Sequence, residues 1–134
     1  MFKAMTDIGA TDAMQEPEEK KRGLAHLFAA GGYSLAGFAR VLKESAFRQE
    51  IFFFLASLAL FAFIGASVPE FLGLVIIFLL MFGIEALNTA IEELVDRVSP
   101  EVSRTGKHAK DLGSFAVFCT LVAAALYIAY VVFF

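Results

Sequence analysis

Between residues 85 and 97 the chain reads Glu85-Ala86-Leu87-Asn88-Thr89-Ala90-Ile91-Glu92-Glu93-Leu94-Val95-Asp96-Arg97. At about 100° per residue, a helix there gathers Glu85, Asn88, Thr89, Glu92 and Asp96 on one stripe, while Leu87, Ile91 and Leu94 point elsewhere. An ionised side chain at the centre of a membrane helix costs roughly 2.5–3.5 kcal/mol, so such a stripe must face a cavity, partner helices or the interface. Lys107-His108-Ala109-Lys110-Asp111 adds positive charge near the same level, and Glu44 to Glu50 adds two carboxylates and Arg48. Phosphoryl transfer asks for a base, a metal and cationic phosphate contacts rather than covalent chemistry, and Mg²⁺ takes one or two protein carboxylates plus substrate phosphates. The residue types match those needs. No GxxxxGK[ST] loop is present and no GxGxxG follows a strand, so a nucleotide would be held without either scaffold.

Each of these features also has a plainer reading. The acidic stripe could be a polar network tying a helix bundle together. Lys110 and Asp111 could be interface anchors at a helix start, and Arg48 with Glu50 a snorkelling pair at the membrane edge. His108 reads as a solvated loop residue. Cys119, the single cysteine, reads as a small apolar filler without a disulfide or metal role. The Phe residues read as lipid-facing or packing bulk, with Phe47 a candidate pocket wall. Intramembrane carboxylates also mark ion paths, so a small oligomeric ion-conducting protein is the alternative of another class. Against it, Phe71 to Ile84 and Leu112 to Phe134 carry no charge that would continue a polar path.

The elements that must position these groups follow from composition. Of 134 residues, 59% are hydrophobic, 16 are Phe and only 19% are charged, which is too apolar for a soluble domain of this length. A formal net charge of -3 without a dense basic block excludes a nucleic-acid partner. Residues 1–22 are polar and acidic, without the apolar core of a signal peptide, and read as a disordered tail or leader. The expected fold is an all-α membrane protein. An amphipathic helix over about residues 24–46 lies in the interface, kinked or broken at Gly31-Gly32, followed by transmembrane helices over about 48–67, 70–97 and 107–134. Residues 23–134 then form one membrane-embedded domain. All eleven Lys and Arg lie before the apolar run that begins at Ile51 or between Arg97 and Lys110. The positive-inside rule therefore places the N-terminus and the second loop in the cytoplasm and the C-terminus on the opposite side of a bacterial inner membrane.

The string EALNTAIEELVDR (85–97), followed by AKDLGS (109–114) and preceded by ESAFRQE (44–50) and GGYS (31–34), resembles the small prokaryotic diacylglycerol kinase family. The resemblance covers about Leu24 to the end. It implies a homotrimer of three-span subunits with an interfacial N-terminal helix and active sites assembled from neighbouring subunits. It further implies transfer of the γ-phosphate of MgATP to a lipid hydroxyl. By matched position, Glu85 is the general base, Glu44 and Glu92 bind Mg²⁺, and Asn88 organises the site. Tyr33, Glu44, Glu92, Glu101, Lys110 and Asp111 contact ATP. Ala30, Gly32, Tyr33, Ser34, Phe47, Arg48, Gln49, Glu50, Glu85 and Ser114 line the lipid pocket.

Within that family the acceptor is diacylglycerol or undecaprenol. The AFRQE string is similar to the diacylglycerol branch, where the undecaprenol branch tends to read RNMRI. The sequence departs from the family pattern at His26, where an Arg is usual, at Val102-Ser103, which replace a Tyr-His pair, and between Gly37 and Glu44, which is one residue short.

Overall fold

The computed structural model describes residues 23–134; the tail or leader expected over residues 1–22 lies outside the described residues. Among the described residues every regular element is an α-helix: α1 (Leu24–Val41), α2 (Ser45–Ile64), α3 (Val68–Val98) and α4 (Arg104–Phe133). By its contacts the chain divides into two units, Met1–Tyr33 and Ser34–Phe134. The described part of the first is the N-terminal portion of α1, whose residues are mostly exposed. The break or kink expected at Gly31-Gly32 does not interrupt the helix, which is assigned as continuous from Leu24 to Val41.

The second unit carries α2, α3 and α4, each long and apolar enough to cross a membrane. The interfacial helix expected to reach about residue 46 instead stops at Val41. The reason lies in Arg48, whose Nη1 donates to the carbonyls of Leu42 at 3.1 Å and Lys43 at 2.6 Å. These carbonyls would otherwise be left without partners at a helix end. Glu44 then takes an extended conformation, φ -75° and ψ 132°, immediately before α2.

The join between α2 and α3 is tightly specified. Gly65 adopts φ 73°, its N–H bonds to Ala62, and Ala66 N–H reaches the carbonyl of Phe61 at 2.9 Å. This is the two-bond left-handed ending for which glycine is favoured. Two residues later Ser67 begins the next helix. Its N–H and hydroxyl both donate to the carboxylate of Glu70, and Pro69 sits in the first turn, where no amide donor is required. At α4, Ser103 Oγ accepts from the Gly106 N–H at 3.0 Å, so the helix begins at Arg104 rather than at about 107.

Packing between α2 and α3 is aromatic. Phe47, Phe54 and Phe61 recur every seven residues along α2 and meet Phe82, Phe78 and Phe71 of α3 at ring-centroid distances of 5.2, 5.0 and 5.8 Å. The descending order on α3 makes the pair antiparallel. Such ring pairs contribute about 0.5–1.5 kcal/mol each beyond area burial, which matters where lipid tails remove the hydrophobic drive between helices. Helix α4 packs chiefly on α3, also antiparallel. Tyr127 donates from its hydroxyl to the Glu70 carbonyl at 2.9 Å near one end, and Gly113 lies against Asn88 toward the other. At both ends a glycine allows the close approach: a Cβ on Gly73 would collide with the Tyr127 ring, and one on Gly113 with Asn88 Oδ1. The buried core along this seam is Phe61, Leu74, Phe78, Met81 and Ala124.

Candidate active site

Helix α3 has 31 residues and is therefore about 46 Å long, whereas about 20 residues suffice to cross the hydrocarbon. Counted from Val68, that crossing ends near Leu87. Glu85 thus sits at the far margin of the apolar layer, and Glu92 and Asp96 lie beyond it. The buried residues of α3 are Leu74, Phe78, Met81, Glu85, Asn88 and Thr89. They form a single stripe that is apolar through the membrane and polar only in its last third. The stripe expected from spacing is therefore present, and its continuation across the membrane is a packed apolar seam rather than an ion path.

Glu85 is 4% exposed and Asn88 8%. Glu44 and Glu92 lie close enough to Glu85 for their charges to act on it, and Glu85 acts in turn on Glu50, also 4% exposed. Four carboxylates from the α1–α2 turn, α2 and α3 thus converge. Asn88 Nδ2 donates to Glu92 Oε1 at 3.2 Å, linking two members of the stripe one turn apart. Among the described residues two buried side-chain oxygens, Glu50 Oε2 and Asn88 Oδ1, accept no hydrogen bond.

Beside this cluster, Arg40 of α1 donates through Nη1 to Glu44 Oε1 at 2.7 Å and through Nε and Nη2 to Glu93 Oε1. Hydrogen bonding to Glu44, above all, raises the guanidinium pKa beyond its ordinary value, and Glu93 adds to this against an opposing desolvation. Farther along α3, a cavity of about 280 Å³ opens between the end of α3 and the start of α4. Asp96, Glu101, Ser103, Lys107, Lys110 and Asp111 line it. Lys110 Nζ pairs with Asp96, and Lys107 Nζ with Asp111 at 2.6 Å. Three carboxylates and two ammonium groups so face one space.

The site residues expected from sequence separate into groups. Glu44, Glu50, Glu85, Asn88 and Glu92 come together, and Glu101, Lys110 and Asp111 share the cavity. Ala30, Gly32 and Tyr33 belong to the first unit and are exposed there; both clusters are built from the second unit alone. Ser34 and Ser114 are exposed on α1 and α4. Arg48 and Gln49, with Ser45, Phe52 and Phe53, line a shallow groove of about 380 Å³ on α2. Phe47 is 2% exposed and packed between Phe38 and Phe82, so within this chain it belongs to the core. His108 lies on α4 rather than in a loop, and Cys119 is exposed rather than filling the core. Sequence spacing did not point to Arg40, Glu93 or the pairing of Asp96 with Lys110, because these partners are 53 and 14 residues apart.

The sequence model of prokaryotic diacylglycerol kinase matches residues 32–133, which contain both clusters. The chain belongs to the prokaryotic diacylglycerol kinase family. It is 54% identical over 118 residues to a diacylglycerol kinase of Sinorhizobium sp, covering 88% of this chain and 86% of that relative. It is 38% identical over 103 residues to one from Haemophilus influenzae, covering 76% and 87%, and 32% identical over 105 residues to one from Escherichia coli K12, covering 78% and 86%. As a family member it is a kinase, and with three apolar spans it is a multi-pass membrane protein.

Proposed function

We propose that the chain transfers the γ-phosphate of ATP to the hydroxyl of diacylglycerol, giving phosphatidic acid, with Glu85 as general base. The observation that carries this reading is the position of Glu85: buried at the membrane margin, within the electrostatic reach of three further carboxylates, and on the helix that also lines the lysine-bearing cavity. A lipid hydroxyl reaches that depth from the bilayer, and a nucleotide reaches it from water. The hydroxyl gives its proton to the Glu85 carboxylate as its oxygen bonds to the γ-phosphorus, the bond from that phosphorus to the bridging oxygen breaks, and ADP leaves. Lys110, with Glu101 and Asp111 beside it, holds the phosphates and offsets the charge that develops on them. Asn88 fixes Glu92 relative to Glu85.

The residues fit a divalent ion that arrives with the nucleotide. Glu92 Oε1 accepts one hydrogen bond and Glu44 Oε1 another, which leaves hard oxygen donors on both carboxylates. Among the described residues no group of three or more His, Cys, Asp or Glu is placed to hold a metal by itself. Mg²⁺ takes one or two carboxylates and completes its shell with phosphates and water. Glu44 and Glu92 would hold it, and bound there it would supply positive charge beside the transferring phosphoryl group.

Residues 23–134 are then the kinase domain, with the N-terminus and the α3–α4 loop on the cytoplasmic side of the bacterial inner membrane. The clustering of Lys and Arg at that level supports this orientation. The active assembly is a homotrimer whose neighbouring copies complete each site. This rests on the family resemblance.

The test is transfer of radiolabelled γ-phosphate from MgATP by the purified protein in mixed micelles, offering diacylglycerol and undecaprenol in parallel. Transfer to diacylglycerol that disappears in Glu85→Gln and on chelation of divalent ions is the expected result. A preference for undecaprenol would keep the mechanism and change the acceptor. Transfer to neither by folded protein would refute the reading.

A further inference from the structure

We infer that Arg40 is a positioning residue for Glu44, held in place by Glu93; the inference rests on the reading of Glu44 as a metal ligand. Glu44 stands in the three-residue connection between α1 and α2, in an extended conformation, outside both helices. Left to itself a glutamate in such a connection samples several rotamers. Arg40 removes that freedom. Its Nη1 takes one oxygen of Glu44 at 2.7 Å, while Nε and Nη2 converge on a single oxygen of Glu93 on α3, the helix that also carries Glu85 and Glu92. Through one guanidinium the connection is fastened to the helix bearing the rest of the site. The other oxygen of Glu44 takes no part in this contact.

The planar fork of arginine suits the arrangement because it presents several donors in fixed directions, whereas a lysine ammonium is a point charge that would have to choose between the two acids. Stability does not explain the device. The side chains of Arg40, Glu44 and Glu93 are 41%, 36% and 53% exposed, and water-screened pairs of this kind contribute little to folding. Their removal therefore leaves a folded protein in which orientation can be read.

The experiment is Mn²⁺ binding, followed by electron paramagnetic resonance, to the full chain in mixed micelles with a non-hydrolysable ATP analogue. Outer partners of metal-binding carboxylates typically change affinity by 10–100-fold, so Arg40→Met is expected to weaken Mn²⁺ binding about tenfold. In the transfer assay the half-saturating Mg²⁺ rises in parallel, and kcat recovers at saturating metal. Arg40→Lys restores part of the loss. Glu93→Gln shifts binding in the same direction by less, and Arg40→Met/Glu93→Gln is no weaker than Arg40→Met alone, because both changes act through one group. Mn²⁺ binding that is unchanged or tightened in Arg40→Met would overturn the inference, since a guanidinium acting only as a competing cation gives that sign. Failure of the unaltered protein to bind Mn²⁺ with the nucleotide would instead refute the assignment of Glu44 and Glu92, and the inference with it.

Discussion

Replacing Gly113 by Ala places a methyl group where α4 meets the side chain of Asn88. The new Cβ would collide with Asn88 Oδ1 and come within 3.3 Å of Asn88 Cγ, while the backbone Cα of Asn88, at 3.8 Å, is not crowded. The amide must therefore turn away, and the Nδ2 donor that now reaches Glu92 Oε1 at 3.2 Å turns with it. Ala gains about 1 kcal/mol over Gly in a helix interior and overpacking costs about 1–3 kcal/mol, so the net loss of stability is about 0–2 kcal/mol. Displacing a group that organises the reacting centre by about 1 Å can cost about 10²-fold in rate. Gly73→Ala provides the comparison at the other end of the same seam, where the new methyl meets the Tyr127 ring. That variant carries the same overpacking and also disturbs the hydrogen bond from Tyr127 to Glu70, far along α3 from Glu85. The assay is phosphoryl transfer per folded molecule, with the folded fraction taken from SDS unfolding in mixed micelles. Gly113→Ala should lose about 10²-fold in specific activity, whereas Gly73→Ala should unfold more easily and keep its activity. Full specific activity in Gly113→Ala, or an equal loss in Gly73→Ala, would refute the role given to Asn88.

Glu85→Gln should lower transfer by roughly 10²–10⁴-fold while leaving resistance to SDS unchanged or greater, because it removes one charge from a buried group of acids. A less stable Glu85→Gln would show that the carboxylate serves the fold. Tyr127→Phe should lower stability by about 0.5–1.5 kcal/mol through its lost bond to the Glu70 carbonyl and leave kcat unaltered. Lys110→Met should raise the half-saturating ATP about tenfold or more at constant diacylglycerol affinity, since a charge-assisted hydrogen bond contributes about 1.5–3 kcal/mol.

The three spans were legible because each is a long apolar run and the acidic face of α3 because it is periodic, and the turn around Pro69, which carries no Lys or Arg, separates the first two helices clearly. The end of α1 was not legible. Apolar residues continue through Leu42, Ala46 and Phe47 without Gly or Pro, so pattern alone carries the helix onward. What stops it is Arg48, whose guanidinium caps carbonyls five and six residues earlier. The start of α4 was missed for a related reason: Ser103 stood out as a departure from the family pattern, and its role as a helix cap depends on backbone geometry. Arg40 shows the deeper limit. Its i,i+4 relation to Glu44 is visible in sequence, but Glu93 joins them only once α1 and α3 meet in the fold. Phe47, which the AFRQE string suggests as a pocket wall, also stands in heptad relation to Phe54 and Phe61 and takes part in the aromatic contact with α3, a long-range packing that local spacing does not show.

The polar stripe of α3 ends in one direction against Met81, Phe78 and Leu74, all buried in the packed core, while Ser57, buried on α2, gives its hydroxyl to the Phe53 carbonyl. In the proposed transfer, a proton taken up by Glu85 meets no relay through the bilayer among the described residues, and its way back to water runs past Asn88 and Glu92. On that reading no charge crosses the low-dielectric slab during the cycle, and the expected outcome is a turnover rate that is the same in energised and de-energised vesicles.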